Sequence, residues 1–511
     1  MEERPPTIIL GLDGAHFELI EPWIEKGKLP NIRKAIESGV SGDLLSVLPP
    51  VTSPNWKSYL TGKNPGKLGI YWWENVDINN RRVYYPEHRK NRETEFWEII
   101  AENEQTGVMG VPTTHPPKNA GEFVVSGAPD AANEGFTSPE SLEQRLVDEY
   151  DYHPIVESEL RATPDQAAED ILEAIDAKFE AAADLYEESD LDLLQVTTFY
   201  INSLHHYFWD DEYTLRGWKI IDRHLGTYLN EGYDVILMSD HGSTEIETVF
   251  HINTWLEKEG YLELDADAAQ FAHRLGINRD RVLRLLSPLG LLGFAKKHAP
   301  QAIKNIVPDE QGELSRESKT ANIDWNTTKV IASGQGPVYL NIDRDSEQYS
   351  QIRDQLMNAL VELRDENGAR VISDVHKGET IYAGEYADEA PDIVVEQAPG
   401  VHIQGGIGRE KVFTSTDEDG WEGENKREGL FVATGPSFRQ GSISDLSILD
   451  LAPTVLHLRG HEIPQDMDGE VRSDIFDSKS RAAKSNPAYR DESTKEREKK
   501  RIRQAIRSSR L

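Results

Sequence analysis

Three short apolar runs that end at polar residues constrain the possible folds of this chain more than any other feature. Residues 7–12 run into Asp13-Gly14, and residues 235–238 run into Ser239-Asp240-His241-Gly242, while a third run covers residues 193–200. Continuous apolar runs of this length are typical of strands buried on both faces of a parallel sheet. Since ligands of open α/β proteins bind at the carboxyl ends of such strands, the polar residues predict a functional site there.

Helical patterns alternate with these runs, which favours a parallel arrangement of the strands. The Ala- and Glu-rich segment 165–188 has the apolar stripe of an amphipathic helix. Shorter helices are predicted at 31–38 and 95–103, and a further strand at 108–111. We therefore predict an α/β fold with a largely parallel central sheet flanked by helices.

The order of the patterns divides the chain into a core, an insertion and a tail. Its 511 residues exceed what a single hydrophobic core usually supports. We predict one core from residues 1–261 and 391–475, an inserted cap region at 262–390, and a basic, flexible tail at 476–511. The supporting patterns are helices near 280–304 and 346–364, and strands at Val338–Asn341, Asp392–Val395 and Gly429–Ala433.

The composition limits the partners of this protein. Its 90 acidic and 55 basic residues give a formal net charge of −35, a field that repels nucleic acid polymers and anionic membranes and is typical of halophilic proteins. We therefore predict a halophilic source. Because the field also repels anionic substrates, a phosphate or sulfate site must be made locally positive by a metal ion, Lys or Arg. The absence of cysteine excludes thiolate metal ligands and a cysteine nucleophile.

The sequence contains no pattern of a membrane segment and none that indicates an oligomeric state. No apolar run approaches the roughly 20 residues that cross a bilayer. The chain passes from Met1-Glu2-Glu3-Arg4 directly into a strand pattern, without the features of a leader. We expect a cytoplasmic protein.

The segment Pro49–Trp56 has the features of a helix start. Ser53 is a good N-cap and Pro54 is favoured at the first helical position, which places Thr52 just outside the helix. A hydroxyl there lies beside unpaired backbone N–H groups and the positive end of the helix dipole, where a phosphoryl oxygen is stabilised. The alternative is that Thr52 and Ser53 serve only as caps.

Metal-binding residue types cluster at the predicted strand ends. Asp240 and His241 offer adjacent oxygen and nitrogen ligands, and Asp13 offers another oxygen, a set that suits Zn²⁺ or a harder divalent ion. Asn202 and His206 stand four residues apart and share a face if their segment is helical. The alternatives are a structural Asp-His pair and an amphipathic turn with partly exposed histidines.

Further motifs accompany these residues along most of the chain. They are Leu10-Gly11-Leu12-Asp13-Gly14, Leu29-Pro30-Asn31-Ile32, Pro50-Val51-Thr52-Ser53-Pro54, Thr61-Gly62, Ser239-Asp240-His241-Gly242, Ile323-Asp324-Trp325, Ala390-Pro391-Asp392, Asp450–Leu456 and Asp466–Gly469. Together they resemble the type I phosphodiesterase/nucleotide pyrophosphatase family of the alkaline-phosphatase superfamily. The resemblance implies an alkaline-phosphatase-like core with an inserted cap, and a Thr or Ser nucleophile that attacks an ester between two divalent ions.

The resemblance also implies roles for individual residues. Thr52 matches the nucleophile, and one metal ion would be held by Asp13, Thr52, Asp240 and His241. All four ligands of this first metal position are present in the sequence. We expect a divalent metal cofactor, Zn²⁺ first, with Mn²⁺, Mg²⁺ or Ca²⁺ as alternatives.

The second metal position of the family is altered in this chain. Its usual ligands are an Asp, a His four residues later and another His, and the matching positions hold Asn202, His206 and Asn425. Two charged or imidazole ligands are thus replaced by amides, so that an ion at this site is expected to be bound weakly or to be a harder cation. The phosphate-binding Asn of nucleotide pyrophosphatases has no clear match, although Asn75 lies nearby. Candidate replacements for the missing ligand or charge are His402, Lys63, Lys426 and Arg427.

These observations lead to three hypotheses about function. The first is a metal-dependent hydrolase of small, anionic phosphate esters with Thr52 as nucleophile. The second is a relative without catalytic activity that binds a metal or an anion. The third is a sulfatase-like esterase that uses one metal ion.

Overall fold

A central ten-stranded sheet dominates the computed structural model, which describes residues 4–229, 232–264, 323–415 and 420–491. The strands lie in the order β20-β2-β19-β9-β1-β8-β5-β6-β7, with β21 beside β2. Their bounds are β1 (Thr7–Leu12), β2 (Val40–Leu45), β5 (Thr106–Val111), β6 (Phe123–Ser126), β7 (Thr137–Ser138), β8 (Leu193–Thr198), β9 (Asp234–Met238), β19 (Glu428–Thr434), β20 (Gly441–Ser442) and β21 (Leu446–Ser447).

The central sheet is largely parallel, as predicted. Strand β1 pairs in parallel with both β8 and β9, and β5 pairs in parallel with β6 and β8. Only β19, which is antiparallel to β2 and β9, and β7, which is antiparallel to β6, depart from this pattern. Ile8 and Leu10 pack into one hydrophobic cluster and Ile9 into another. Both faces of the sheet are therefore buried, which explains the continuous apolar runs.

Helices cover the sheet, and several match the sequence patterns closely. The segment predicted at 165–188 is a helix over Pro164–Ser189. The helix predicted at 95–103 ends early, at Ile100, because the N–H groups of residues 102–104 turn back onto the carbonyls of Ile99 and Ile100. The helices are α1 (Phe17–Glu25), α2 (Pro30–Ser38), α3 (Thr52–Thr61), α4 (Pro65–Leu68), α5 (Glu87–Lys90), α6 (Phe96–Ile100), α7 (Ser141–Tyr150), α8 (Pro164–Ser189), α9 (Tyr200–Tyr207), α10 (Glu212–Tyr228), α11 (Ile252–Lys258), α12 (Glu347–Glu362), α13 (Gly378–Ile381), α14 (Leu451–Arg459) and α15 (Arg481–Lys484).

Five smaller sheets accompany the central sheet in the described parts of the chain. An antiparallel sheet β12-β13-β15-β14 carries α12 and has its own hydrophobic cluster. The helix predicted near 280–304 lies outside the described residues. The bounds are β3 (Asn75–Asp77) with β4 (Arg82–Tyr84), β10 (Gly242–Glu245) with β18 (Gly423–Lys426), β11 (Thr248–His251) with β16 (Val401–Gln404) and β17 (Phe413–Thr414), β12 (Val330–Ala332), β13 (Pro337–Leu340), β14 (Ile372–Lys377) and β15 (Ile393–Gln397), and β22 (Ile463–Pro464) with β23 (Tyr489–Arg490).

Candidate active site

Two neighbouring strands of the central sheet end at the candidate metal ligands. Asp13 directly follows β1, and Asp240 and His241 follow β9, which pairs with β1 along its length. Thr52 is the first residue of α3 and lies against the same edge. Asp13, Asp240 and His241 are completely buried, and Thr52 is 2% exposed. The fold thus gathers the four residues in one buried site.

The helix that carries Thr52 begins two residues earlier than the sequence pattern predicts. Thr52 is its first residue, and the N-cap is Val51, whose extended backbone (φ −126°, ψ 141°) offers no side-chain cap. Ser53 is therefore not the cap. The backbone N–H groups of Thr52 and Ser53 make no hydrogen bond to the part of the chain that the structure describes, and Pro54 has no N–H group. An anion beside Thr52 would meet free donors and the positive end of the helix dipole.

The polar atoms of the four residues converge on one point. Thr52 Oγ1 lies 3.5 Å from Asp13 Oδ1 and 3.4 Å from His241 Nε2. His241 Nε2 lies 3.5 Å from Asp13 Oδ1 and 3.3 Å from Asp240 Oδ2. Histidine, aspartate and glutamate side chains can bind metal ions. Among the described residues, one group of three of them has its ligand atoms all within 4.8 Å of one another, and it consists of Asp13, Asp240 and His241.

The donor set of this group fits a divalent cation. His241 Nδ1 lies 3.0 Å from the Gly242 carbonyl oxygen, which can only accept, so Nδ1 carries the ring proton and Nε2 presents a lone pair. That lone pair faces carboxylate oxygens of Asp13 and Asp240, and Asp240 Oδ2 is buried without a hydrogen-bond partner. The His241 lone pair and the carboxylate oxygens would repel one another in this buried space, because no proton lies between them. A bound cation would remove this repulsion.

Burial also perturbs the ionisation of the three ligands. It raises the pKa of Asp13 to about 7 against the opposing effect of hydrogen bonds from Trp56, Asn202 and Thr52. Burial, followed by repulsion from Asp13, raises the pKa of Asp240 well above its usual range. Burial lowers the pKa of His241 to about 3, so that its imidazole is neutral. A cation would relieve the cost of both buried carboxylates and leave the imidazole as a ligand.

Two residues of helix α3 hold the site in place, and the sequence patterns did not reveal them. Trp56 donates from Nε1 to Asp13 Oδ2 at 2.8 Å. Asn55 accepts from the Val47 N–H group at 2.8 Å and donates to the Pro49 and Val51 carbonyls, which fixes the loop before Thr52. The available signal was spacing, since Trp56 follows Thr52 by four residues and shares its helix face.

A second group of buried residues supports the turn after β1. Ser243 Oγ donates to the Gly14 carbonyl at 2.5 Å and lies 3.3 Å from His205 Nδ1. His205 Nε2 accepts from Trp218 Nε1 at 3.1 Å. The Gly14 N–H group in turn donates to Asp240 Oδ1 at 3.3 Å. Gly14 has φ +66°, and a Cβ there would meet the Asn202 side chain at 2.2 Å, so only glycine fits between the two sites.

The residues of the altered second position surround the same turn. Asn202 and His206 lie on α9, and Asn425 lies on β18 opposite Ser243. His206 Nδ1 lies 2.7 Å from the Gly423 carbonyl, and its ring stacks on Trp421 at 4.2 Å. Asn425 donates to the Pro50 carbonyl at 3.0 Å, while its Oδ1 is buried without a partner. The position thus offers one imidazole and neutral amides, but no carboxylate from these three residues.

Comparisons with a protein-family model and with solved structures place the chain among known proteins. The family model described as type I phosphodiesterase / nucleotide pyrophosphatase matches residues 7–424. The chain belongs to this family. Phosphonoacetate hydrolase from Sinorhizobium meliloti 1021, solved with phosphonoformate, superposes with a TM-score of 0.56 at 14% identity, over 88% of this chain and 94% of that chain. Human ectonucleotide pyrophosphatase/phosphodiesterase 5 has a TM-score of 0.48 at 14% identity, over 93% and 100% of the two chains. No curated protein matches the sequence significantly.

Membership of the phosphodiesterase family confirms the predicted fold and enzyme class. The fold is alkaline-phosphatase-like, and the protein is a hydrolase that acts on phosphoester bonds. Small-molecule phosphoesters are the substrates that fit such an enzyme. In the described parts of the chain, no helix is long and apolar enough to cross a membrane.

The candidate replacements for the missing ligand or charge contact other groups of the chain. His402 contacts the buried Glu424 carboxylate, and Lys63 bonds Glu93 and Asp466 at 2.6 and 2.5 Å. Lys426 pairs with Glu18 at 2.6 Å, and Arg427 lies 3.7 Å from Glu396. Asn75 donates to the Gly69 carbonyl at 2.8 Å, a local structural bond.

Proposed function

We propose that this chain hydrolyses small, anionic phosphate esters with Thr52 as nucleophile and a single divalent cation held by Asp13, Asp240 and His241. The observation that carries the proposal is the meeting of the His241 Nε2 lone pair with two buried carboxylates beside the Thr52 hydroxyl. Imidazole and carboxylate ligands suit Zn²⁺ best, while Mn²⁺, Mg²⁺ and Ca²⁺ are the alternatives.

Thr52 lies where a nucleophile can form and break a bond to phosphorus. A bound cation would lower the pKa of the Thr52 hydroxyl and stabilise negative charge on the phosphoryl group. Thr52 Oγ1 attacks phosphorus, the bond to the leaving oxygen breaks, and the alcohol departs with the proton lost by Thr52. Water then cleaves the phosphoryl-threonine ester. The free N–H groups of Thr52 and Ser53 stabilise the phosphoryl oxygens in both steps.

The second position favours one cation over two. Asn202 is buried and hydrogen-bonds Asp13, which lowers the pKa of that carboxyl without adding a charge. A carboxylate at position 202 would repel Asp13 and would need a further cation to neutralise it. The Asn202 hydrogen bond therefore stabilises the ionised Asp13 carboxylate, as a second cation would otherwise do.

Trapping of a covalent intermediate tests this proposal. The enzyme is mixed with a chromogenic phosphodiester, a phosphomonoester or a sulfate ester, quenched in acid during turnover, digested and analysed by mass spectrometry. We expect one phosphoryl group on the peptide that contains Thr52. A sulfuryl adduct with faster turnover of the sulfate ester would favour the sulfatase-like alternative.

A neighbouring hydroxyl provides the matched control. Ser53 is also fully buried, and its Oγ makes no hydrogen bond within the described residues. We expect Thr52→Ala to lose both adduct and turnover, and Ser53→Ala to retain both. Turnover by Thr52→Ala at the wild-type rate, or an adduct on another residue, would contradict the assignment of Thr52.

A further inference from the structure

A basic cavity lies at the end of the central sheet that is opposite the candidate active site. It has a volume of about 420 Å³, and its lining includes Arg4, Arg459, Lys479 and Arg481. Arg4 precedes β1, and Asp234, the first residue of β9, also lines the cavity. Since β1 has six residues, the cavity is separated from Asp13 by the length of the strand, about 20 Å. It is therefore distinct from the catalytic site.

The cations around this cavity are only partly neutralised. Arg459 is buried and bonded to Glu104 at 2.7 Å, while Arg4 lies 3.6 Å from the same carboxylate. Lys479 and Arg481 are exposed and form no ion pair with the described residues. Four cations thus line one cavity in a chain that has 90 acidic and 55 basic residues, and they make this cavity locally positive.

The ionisation of Arg4 shows that the cations around the cavity repel one another. The Arg4 Nε is buried and has no hydrogen-bond partner. Burial and the nearby charges of Arg481 and Arg459 lower the pKa of the Arg4 guanidinium, against the opposing effect of Glu104. Mutually repelling cations that line one cavity favour the entry of an anion.

The remaining lining indicates what kind of anion fits. Pro5, Pro436, Leu458 and Ala482 contribute apolar surface beside the cations. The volume lies in the range of small-molecule sites and far exceeds the space of a single oxyanion. Arginine forks match the oxygens of a phosphate group, while the apolar surface suits an uncharged organic portion.

We propose that this cavity binds a phosphorylated small organic molecule, with the phosphate between Arg4 and Arg481 and the organic portion against Pro436 and Leu458. Lys479 adds a further positive charge from an exposed position. Asp234 also lines the cavity, and its carboxylate accepts from the Ser437 N–H group at 2.9 Å. Its negative charge would repel the ligand. Neutralisation of Asp234 should therefore strengthen binding.

Calorimetric titration of the full-length chain tests the proposal. A Thr52→Ala background treated with a chelator removes turnover and leaves the catalytic pocket with its carboxylates and no cation. The probes are ribose 5-phosphate, inorganic phosphate and ribose. We expect the order of affinity ribose 5-phosphate, phosphate, ribose. Equal affinities for ribose 5-phosphate and phosphate, or no binding of either, would overturn the assignment.

Variants then locate the binding site. Arg481→Gln and Lys479→Gln change exposed side chains, so the chain should still fold, and loss of one charge-assisted bond should weaken binding by about tenfold. Asp234→Asn should tighten it. The control Arg145→Gln removes an equal charge from the partly exposed Arg145 side chain of α7 and should leave affinity unchanged. Binding that is insensitive to both Arg481→Gln and Lys479→Gln would place the ligand elsewhere and refute the proposal.

Discussion

The substitution Asn202→Asp should create a site that needs a second cation, because it replaces a neutral amide that hydrogen-bonds Asp13 with a carboxylate. The Asn202 side chain is buried and hydrogen-bonds Asp13, and Ser243 Oγ lies 3.4 Å from its Oδ1. A carboxylate there would face Asp13 in a buried space. Two unit charges about 4 Å apart repel by about 4 kcal/mol at an effective dielectric constant of about 20. Uptake of a proton relieves part of this cost, so we expect the metal-free variant to lose about 3 kcal/mol of unfolding free energy.

The assay is urea unfolding with and without a divalent cation. We expect excess Zn²⁺ to restore most of the lost stability of Asn202→Asp, because the ion binds the native state alone. Addition of Asn425→His supplies a further ligand, and the double variant should hold two ions per chain. The control is Asn253→Asp, since Asn253 is equally buried but donates to carbonyls of Ala332 and Gly405 at 2.7 Å. Zn²⁺ should not rescue this control. Equal losses with and without Zn²⁺ in Asn202→Asp would refute the reasoning.

Three further predictions follow from single contacts. Thr52→Ser keeps a hydroxyl at the helix start and should retain measurable turnover, whereas Thr52→Ala should lower kcat/KM by about 10⁴-fold or more in a chromogenic ester assay. Trp56→Phe removes the 2.8 Å bond to Asp13 and should weaken metal binding about tenfold in a competition titration with a chelating dye; an unchanged affinity would show that Trp56 only packs. Burial raises the pKa of Asp234 to about 6, so its stabilising proton is bound below the unfolded value near 4 and is lost as the pH rises through 6. The unfolding free energy of Asp234→Asn relative to wild type should therefore increase by about 2 kcal/mol between pH 4 and pH 8 in urea titrations, and a constant difference would contradict the assignment.

Local patterns predicted the central strands because burial on both faces leaves a clear apolar signature. The runs at 7–12 and 235–238 correspond to strands Thr7–Leu12 and Asp234–Met238, and their neighbouring positions in the sheet bring Asp13 and Asp240 together. The strand predicted at 193–200 is too long, because β8 ends at Thr198 and helix α9 begins at Tyr200. An apolar strand that leads directly into an apolar helix leaves no polar boundary to read.

The supporting contacts could not be predicted because they join distant parts of the chain. Ser243 bonds Gly14 across 229 residues, and nothing near Ser243 marks that role. The basic cavity combines Arg4 with Arg481 from opposite ends of the sequence. The start of α3 was misplaced for a local reason, since Ser53 has the chemistry of a cap but the chain turns into the helix at Thr52. Tertiary contacts of the preceding loop, made through Asn55, decide that position.

The most direct test of the central claim is a count of metal ions in the active enzyme. The wild-type chain is dialysed against trace Zn²⁺, its metal content is measured by plasma mass spectrometry, and its turnover of the best phosphoester is recorded on the same sample. One cation per chain at full turnover, lost together with activity in Asp240→Asn, is the predicted result. Two cations per chain at full turnover, or undiminished turnover after the metal is removed, would contradict the account.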